Sequence, residues 1–162
     1  MMKPLLVVAA LISMAISTTT ALAQQTLEPI TFMDQWGKPQ VLNLSTKWLI
    51  FTDNKDSGTW VKTQLENLDG EALMAKNTVY IADVSGMPSL ITKFIAIPKM
   101  QDYSFPIALE TQGVVSKAWP KKEGAVNVYQ LSALTITNVH ALTSQAQVSA
   151  FFTSIGLSPR AP

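Results

Sequence analysis

Four consecutive apolar residues, Trp48-Leu49-Ile50-Phe51, constrain this chain more than any other stretch of it. A run that is short and apolar at every position has no polar face to turn to solvent, so it predicts a strand covered on both sides. The residues after it decide how it is covered. Asp53-Asn54-Lys55-Asp56-Ser57-Gly58 is rich in helix-capping residues, and Trp60, Val61, Leu65 and Leu68 then recur at helical spacing. The pattern predicts a helix beginning near Ser57 or Thr59 and broken at Gly70. Thr78-Val79-Tyr80-Ile81-Ala82 reads as the next strand. Strand, helix, strand implies a parallel pair with a right-handed crossover, hence a sheet with helices packed on it.

The flanking segments extend this unit. Leu27 to Leu44 alternates around the turn formers Gly37 and Pro39 and predicts a hairpin. Glu71 to Lys76 adds a turn. Gly86-Met87-Pro88 opens a second helix, with Leu90, Ile91, Phe94 and Ile95 expected as its buried face and Pro98 as its stop. Phe105 to Leu109 predicts a strand, Val114 to Trp119 one or two helical turns, and Lys121 to Gly124 an exposed turn. Ala125 to Leu131 and Leu134 to Val139 alternate as hairpin-linked strands, and Thr143 to Ile155 closes as a helix carrying Val148, Phe151, Phe152 and Ile155. The sum is an α/β domain over residues 24–156, with a mixed sheet, an N-terminal β-hairpin and a tail expected to fray over 157–162.

The first 23 residues have a different character. Lys3, an apolar run from Leu5 to Ile16, and Ala21-Leu22-Ala23 come in the order of a secretory signal peptide with a small-x-small cleavage site. The apolar run is well short of the roughly 20 residues that a spanning helix needs, and no cysteine stands after it to accept a lipid. Cleavage near Ala23 is expected to release a periplasmic or secreted protein with no permanent membrane anchor. Without Lys3 the chain carries eleven basic and eleven acidic residues, in no basic block, so nucleic acid is not an expected partner.

The chain contains no cysteine. An exported domain would keep disulfides if it had them, so stability has to come from apolar burial. Nucleophilic thiols, thiolate metal sites and disulfide exchange are excluded.

Candidate sites are few. The loop carrying Asp53, Asp56, Ser57, Thr59 and Trp60 lies at the carboxyl end of the expected central strand and at a helix N-terminus, where α/β sheets place ligands. Helix capping by Asp and Ser is the alternative reading of the same residues. Their spacing does not match a calcium loop, and no metal is assigned. His140 is the only histidine; it could act as an acid or base with Ser144, but no nucleophile, base and orienting group can be read together. Gly-rich phosphate loops, G-x-S-x-G and H-E-x-x-H are absent, so neither a cofactor nor a catalytic residue is assigned. Trp48 and Trp60 sit on apolar faces and are expected in the core. Trp36, in a turn, and Trp119, before Pro120 and two lysines, are candidate interface anchors, with core packing as the alternative.

Particular residues then add a resemblance. Asp34-x-x-Gly37 after the first strand, Glu110-x-x-Gly113-Val114, Ala118-Trp119 and the hairpin-helix ending from Tyr103 to Phe152 resemble thioredoxin-like proteins of the peroxiredoxin and thiol-disulfide oxidoreductase type. The similarity is closest to the YtfJ-type family of exported proteins, whose members commonly lack the redox cysteines. The resemblance implies a three-layer α/β/α thioredoxin-like sandwich. The chain departs from it at both halves of the redox site: Asn54 to Trp60 holds no sulfur where relatives carry cysteine, and Gly124-Ala125-Val126 holds no proline. The expected function is therefore a redox-inactive module that binds a peptide or a periplasmic or secreted partner protein. The alternative is an enzyme with non-thiol chemistry around Asp53, Asp56, Ser57 and His140.

Overall fold

The computed structural model describes residues 24–159; the expected signal peptide lies outside the described residues. Strands β1 (Ile30–Met33) and β2 (Pro39–Leu42) form an antiparallel hairpin. Asp34 organises its turn: one carboxylate oxygen accepts the N–H groups of Trp36 and Lys38, each at 2.9 Å, and Gly37 takes the left-handed φ of +73° that the turn requires.

The main sheet has the order β5-β4-β3-β6-β7, with β3 (Trp48–Thr52) at its centre. Strand β4 (Thr78–Asp83) pairs parallel to it, Trp48 opposite Thr78, and β5 (Ala108–Glu110) pairs parallel to β4. On the other side β6 (Val126–Ser132) and β7 (Thr135–Leu142) run antiparallel, giving the expected mixed sheet. Alternation along β3 explains its unbroken apolar run: Ile50 enters the core on one face, Leu49 and Phe51 the core on the other.

Helices α1 (Lys55–Leu65) and α5 (Gln145–Ser154) cover the Ile50 face through Val61, Leu65, Val148 and Phe152. A single helical turn, α2 (Ala72–Ala75), leads into β4. The Phe51 face is closed by the hairpin residues Phe32 and Leu42 and by the segment around a 3₁₀ turn, Ser116–Ala118. Glu110, itself buried, fixes that turn by accepting the N–H groups of Val115 and Ser116 at 2.7 and 3.0 Å. Both sheet edges are engaged: Leu27 N–H donates to Leu134 O beside β7, and Asp34 bridges to Ala108 on β5.

Four expectations need correction. Helix α1 starts at Lys55, earlier than Ser57 or Thr59, because Asn54 supplies the cap. Pro98 does not stop the second helix. That rod runs through α3 (Ser89–Ile91), a π-helical segment (Thr92–Ala96) and α4 (Ile97–Met100). The wider π turn, in which Ile97 N–H reaches Thr92 O, accommodates a residue without an N–H whose ring would crowd the carbonyl four residues back. The rod's expected buried face is also wrong: Leu90, Ile91, Phe94 and Ile95 are all exposed, and Thr92 is buried instead. Finally, Leu157, expected to begin a frayed tail, is fully buried, with its N–H on Phe152 O at 2.8 Å.

Candidate functional site

The turn from β3 into α1 is built by a reciprocal pair. Asn54 has extended backbone geometry, and its side-chain oxygen accepts Ser57 N–H at 2.9 Å, while the Ser57 hydroxyl donates back to Asn54 O at 3.2 Å. Ser57 is completely buried, so its hydroxyl is a structural cap. Asp56 is exposed in the first turn, where a negative charge complements the helix dipole. Thr59 donates to Lys55 O, and Trp60 is half-buried against the core, with its carbonyl accepting from Gln145 of α5. Asp53 reaches across to the loop before β6 and accepts Gly124 N–H at 3.3 Å. Gly124 has φ +75° and its N–H is used, so a proline could not occupy it.

Beside this turn lies a cleft of about 620 Å³, bounded by α1, the 89–100 rod and the carboxyl ends of β3 and β4. Of the loop residues singled out by sequence, Asp53 and Thr59 line it; Asp56, Ser57 and Trp60 do not. Its floor holds Thr52 and Tyr80, both buried, whose hydroxyls hydrogen-bond at 3.0 Å. Burial pushes the Tyr80 hydroxyl up to about 12 and outweighs the opposing effect of the Thr52 bond. Ile91, Ile95 and Met100 form an apolar wall, and Lys55, Lys62 and Lys99 contribute cationic side chains.

Sequence reading missed Tyr80, Lys99 and the rod as parts of a site. Tyr80 reads only as a strand residue, and its role depends on where the strand ends. The rod did carry a signal: besides Leu90, Ile91, Phe94 and Ile95 it contains Ile97 and Met100, more apolar side chains than one buried stripe uses.

The two candidate interface tryptophans separate. Trp36 is 38% exposed, its indole N–H on Gln101 O at 3.2 Å. Trp119 is buried, with edge-to-face contacts to Phe51 and Tyr129 at 5.6 and 5.8 Å between ring centroids. It is a core residue: the short 3₁₀ turn before it directs the indole onto the sheet, which the lysines after it do not reveal. Tyr129 next to it has its hydroxyl pushed up by burial and by the nearby Asp53 charge.

His140 sits in mid-β7 with its ring 4.6 Å from that of Phe151. It makes no hydrogen bond with Asp53, Asp56, Ser57 or Ser144, so no catalytic set converges there. Among the described residues no group of three or more His, Asp or Glu is placed to hold a metal ion, and no helix is long and apolar enough to cross a membrane.

No family model matches the chain, and no curated protein does. Solved structures do. A putative thiol:disulfide interchange protein DsbE from Chlorobium tepidum superposes with a TM-score of 0.55 at 14% identity, covering 82% of this chain and 94% of that one. Peroxidoxin BcpB from Mycobacterium tuberculosis gives 0.54 at 14% identity, with the same coverage. The exposed lipoprotein thioredoxin of Streptococcus pneumoniae gives 0.52 at 12% identity over 78% of this chain and 99% of that one. The fold is thioredoxin-like, carried by a chain without cysteine.

Proposed function

We propose that the mature chain, exported after cleavage near Ala23, is a redox-inactive thioredoxin-like protein that acts as a binding module for a peptide or a partner protein. The missing cysteines and the glycine at 124 fit the cysteine-less YtfJ-type branch that the sequence resembles. At the helix N-terminus the Ser57 hydroxyl is buried and bonded within the Asn54–Ser57 cap.

One observation carries the reading: Leu90 and Phe94, on successive turns of the rod, are 68% and 66% exposed, flanked by exposed Ile91 and Ile95. A protein that fills two cores with apolar side chains, yet leaves these large ones together in water, has a surface suited to a partner.

The test is cross-linked recovery of the tagged mature protein from extract of its own compartment, beside Leu90→Glu and Phe94→Glu. Both positions are exposed, so the variants should fold normally. A specific partner recovered with the parent and lost, by about tenfold or more, in both variants is expected, since an apolar anchor at an interface contributes about 1–3 kcal/mol. Recovery that is unaffected by both substitutions would refute this surface as the binding site.

A further inference from the structure

The cleft between α1 and the rod has walls of opposite chemistry, and its polar groups are unequally satisfied. Asp53 already accepts Gly124 N–H at 3.3 Å, and Asp83 accepts Ser85 N–H at 2.9 Å. Among the lysines, Lys62 is paired with Glu66 at 3.3 Å, whereas neither Lys55 nor Lys99 has a carboxylate within ion-pair distance among the described residues. The floor adds a donor in excess. The hydroxyls of Thr52 and Tyr80, 2% and 4% exposed, bond each other and no other described group. Two hydroxyls carry two protons and their mutual bond uses one, so the second is left to seek an acceptor in the cleft. Alongside these donors, Ile91, Ile95 and Met100 supply apolar surface to the same cleft.

We propose that this cleft binds an amphipathic anion of the medium-chain aliphatic carboxylate class. The carboxylate accepts from the Thr52–Tyr80 pair, with Lys55 and Lys99 as its counter-charges, and the chain lies along Ile91, Ile95 and Met100. A cleft of about 620 Å³ is within the range of small-molecule sites. A neutral ligand would leave Lys55 and Lys99 without a counter-charge, and a cationic one would meet three lysines against the two carboxylates, Asp53 and Asp83, that already hold backbone N–H groups. Because the Tyr80 hydroxyl stays protonated well above neutrality, it remains a donor under physiological conditions. The partner surface shares Ile91 and Ile95 with the cleft, but Leu90 and Phe94 do not line it, so Leu90→Glu and Phe94→Glu test the partner surface while leaving the cleft's lining intact.

The experiment is calorimetric titration of residues 24–162 with decanoate, alongside decanol and decylammonium, all below micelle formation. Decanoate is expected to saturate a single site and to bind about tenfold or more tightly than either analogue. Combining Lys55→Glu with Lys99→Glu, both at exposed positions, is expected to weaken it about tenfold or more. Combining Thr52→Val with Tyr80→Phe is expected to do the same, with circular dichroism confirming that this variant remains folded. Decylammonium binding as tightly as decanoate, or decanoate binding unaltered by the lysine pair, would overturn the proposal. So would association with phosphatidylglycerol vesicles without binding of monomeric decanoate, which would assign the apolar wall to a membrane.

Discussion

Tyr80 shows how a residue's environment can change its chemistry without any change in its identity. In the unfolded chain its hydroxyl ionises near 10.0; in the folded protein burial raises that to about 12. Between those values the unfolded state has lost the proton and the native state keeps it, so the contribution is full below pH 10 and is lost as pH rises toward 12. That separation corresponds to about 3 kcal/mol. Denaturant unfolding followed at rising alkaline pH is expected to show stability falling through this window, with a shallower fall in Tyr80→Phe. An unchanged slope in that variant would mean that another group governs alkaline unfolding. Ser57 and Trp119 make the same point about sequence: a serine at a helix start and a tryptophan beside lysines admit both structural and functional readings. In the fold Ser57 is fully buried and Trp119 is buried, so both pack inside the protein.

At the scale of elements, one side chain ties the hairpin's turn to the segment that leads into β5, next to the Asp34–Ala108 bridge. Buried Gln35 donates to Phe105 O at 2.7 Å and to Met100 O at 3.3 Å, and accepts Ile107 N–H at 2.7 Å. Gln101 returns a bond to Gln35 O at 2.8 Å. Gln35→Ala would leave buried donors and acceptors without partners, and is expected to cost about 3 kcal/mol. Hydrogen exchange should show protection lost at Ile107 and across β1–β2 while β3 and β6 keep theirs; equal loss everywhere would contradict this local role. The hairpin, the parallel β3–β4 pair, the β6–β7 hairpin and α5 were all legible from their apolar patterns: α5 buries one face at helical spacing, whereas β3, β4 and β6 are short strands with apolar residues on both faces. The rod was not: periodicity identifies an apolar face but cannot say whether a neighbour covers it, and here Leu90 and Phe94 have none. Gln35 was illegible for a related reason, since nothing local distinguishes a turn glutamine in water from one that satisfies three backbone groups some 65 to 72 residues away.

Across the whole molecule, two apolar clusters lie on opposite faces of one sheet, with Phe152 fully buried in one and Trp119 buried in the other. Because β3 contributes to both, loosening either should destabilise the same cooperative unit. Phe152→Ala and Trp119→Ala are each expected to cost about 3–5 kcal/mol, and each should lower one common thermal transition; two resolved transitions would contradict a shared core strand. The turn joining β6 and β7 shows how far tertiary packing can override local preference. Leu134 adopts φ +66°, disfavoured for its branched side chain, and is held there by burial at 2% exposure beside Leu131 and Ile136. The sequence by itself determined the order of strands and helices, the continuously covered central strand and the absence of thiol chemistry, because these arise from local periodicity and residue type. Only the tertiary structure decided which apolar faces remain uncovered, which capping residues point away from the cleft, and that Tyr80, Lys55 and Lys99 share one with the rod. Those relations hold between segments distant along the chain, and periodicity carries no information about them.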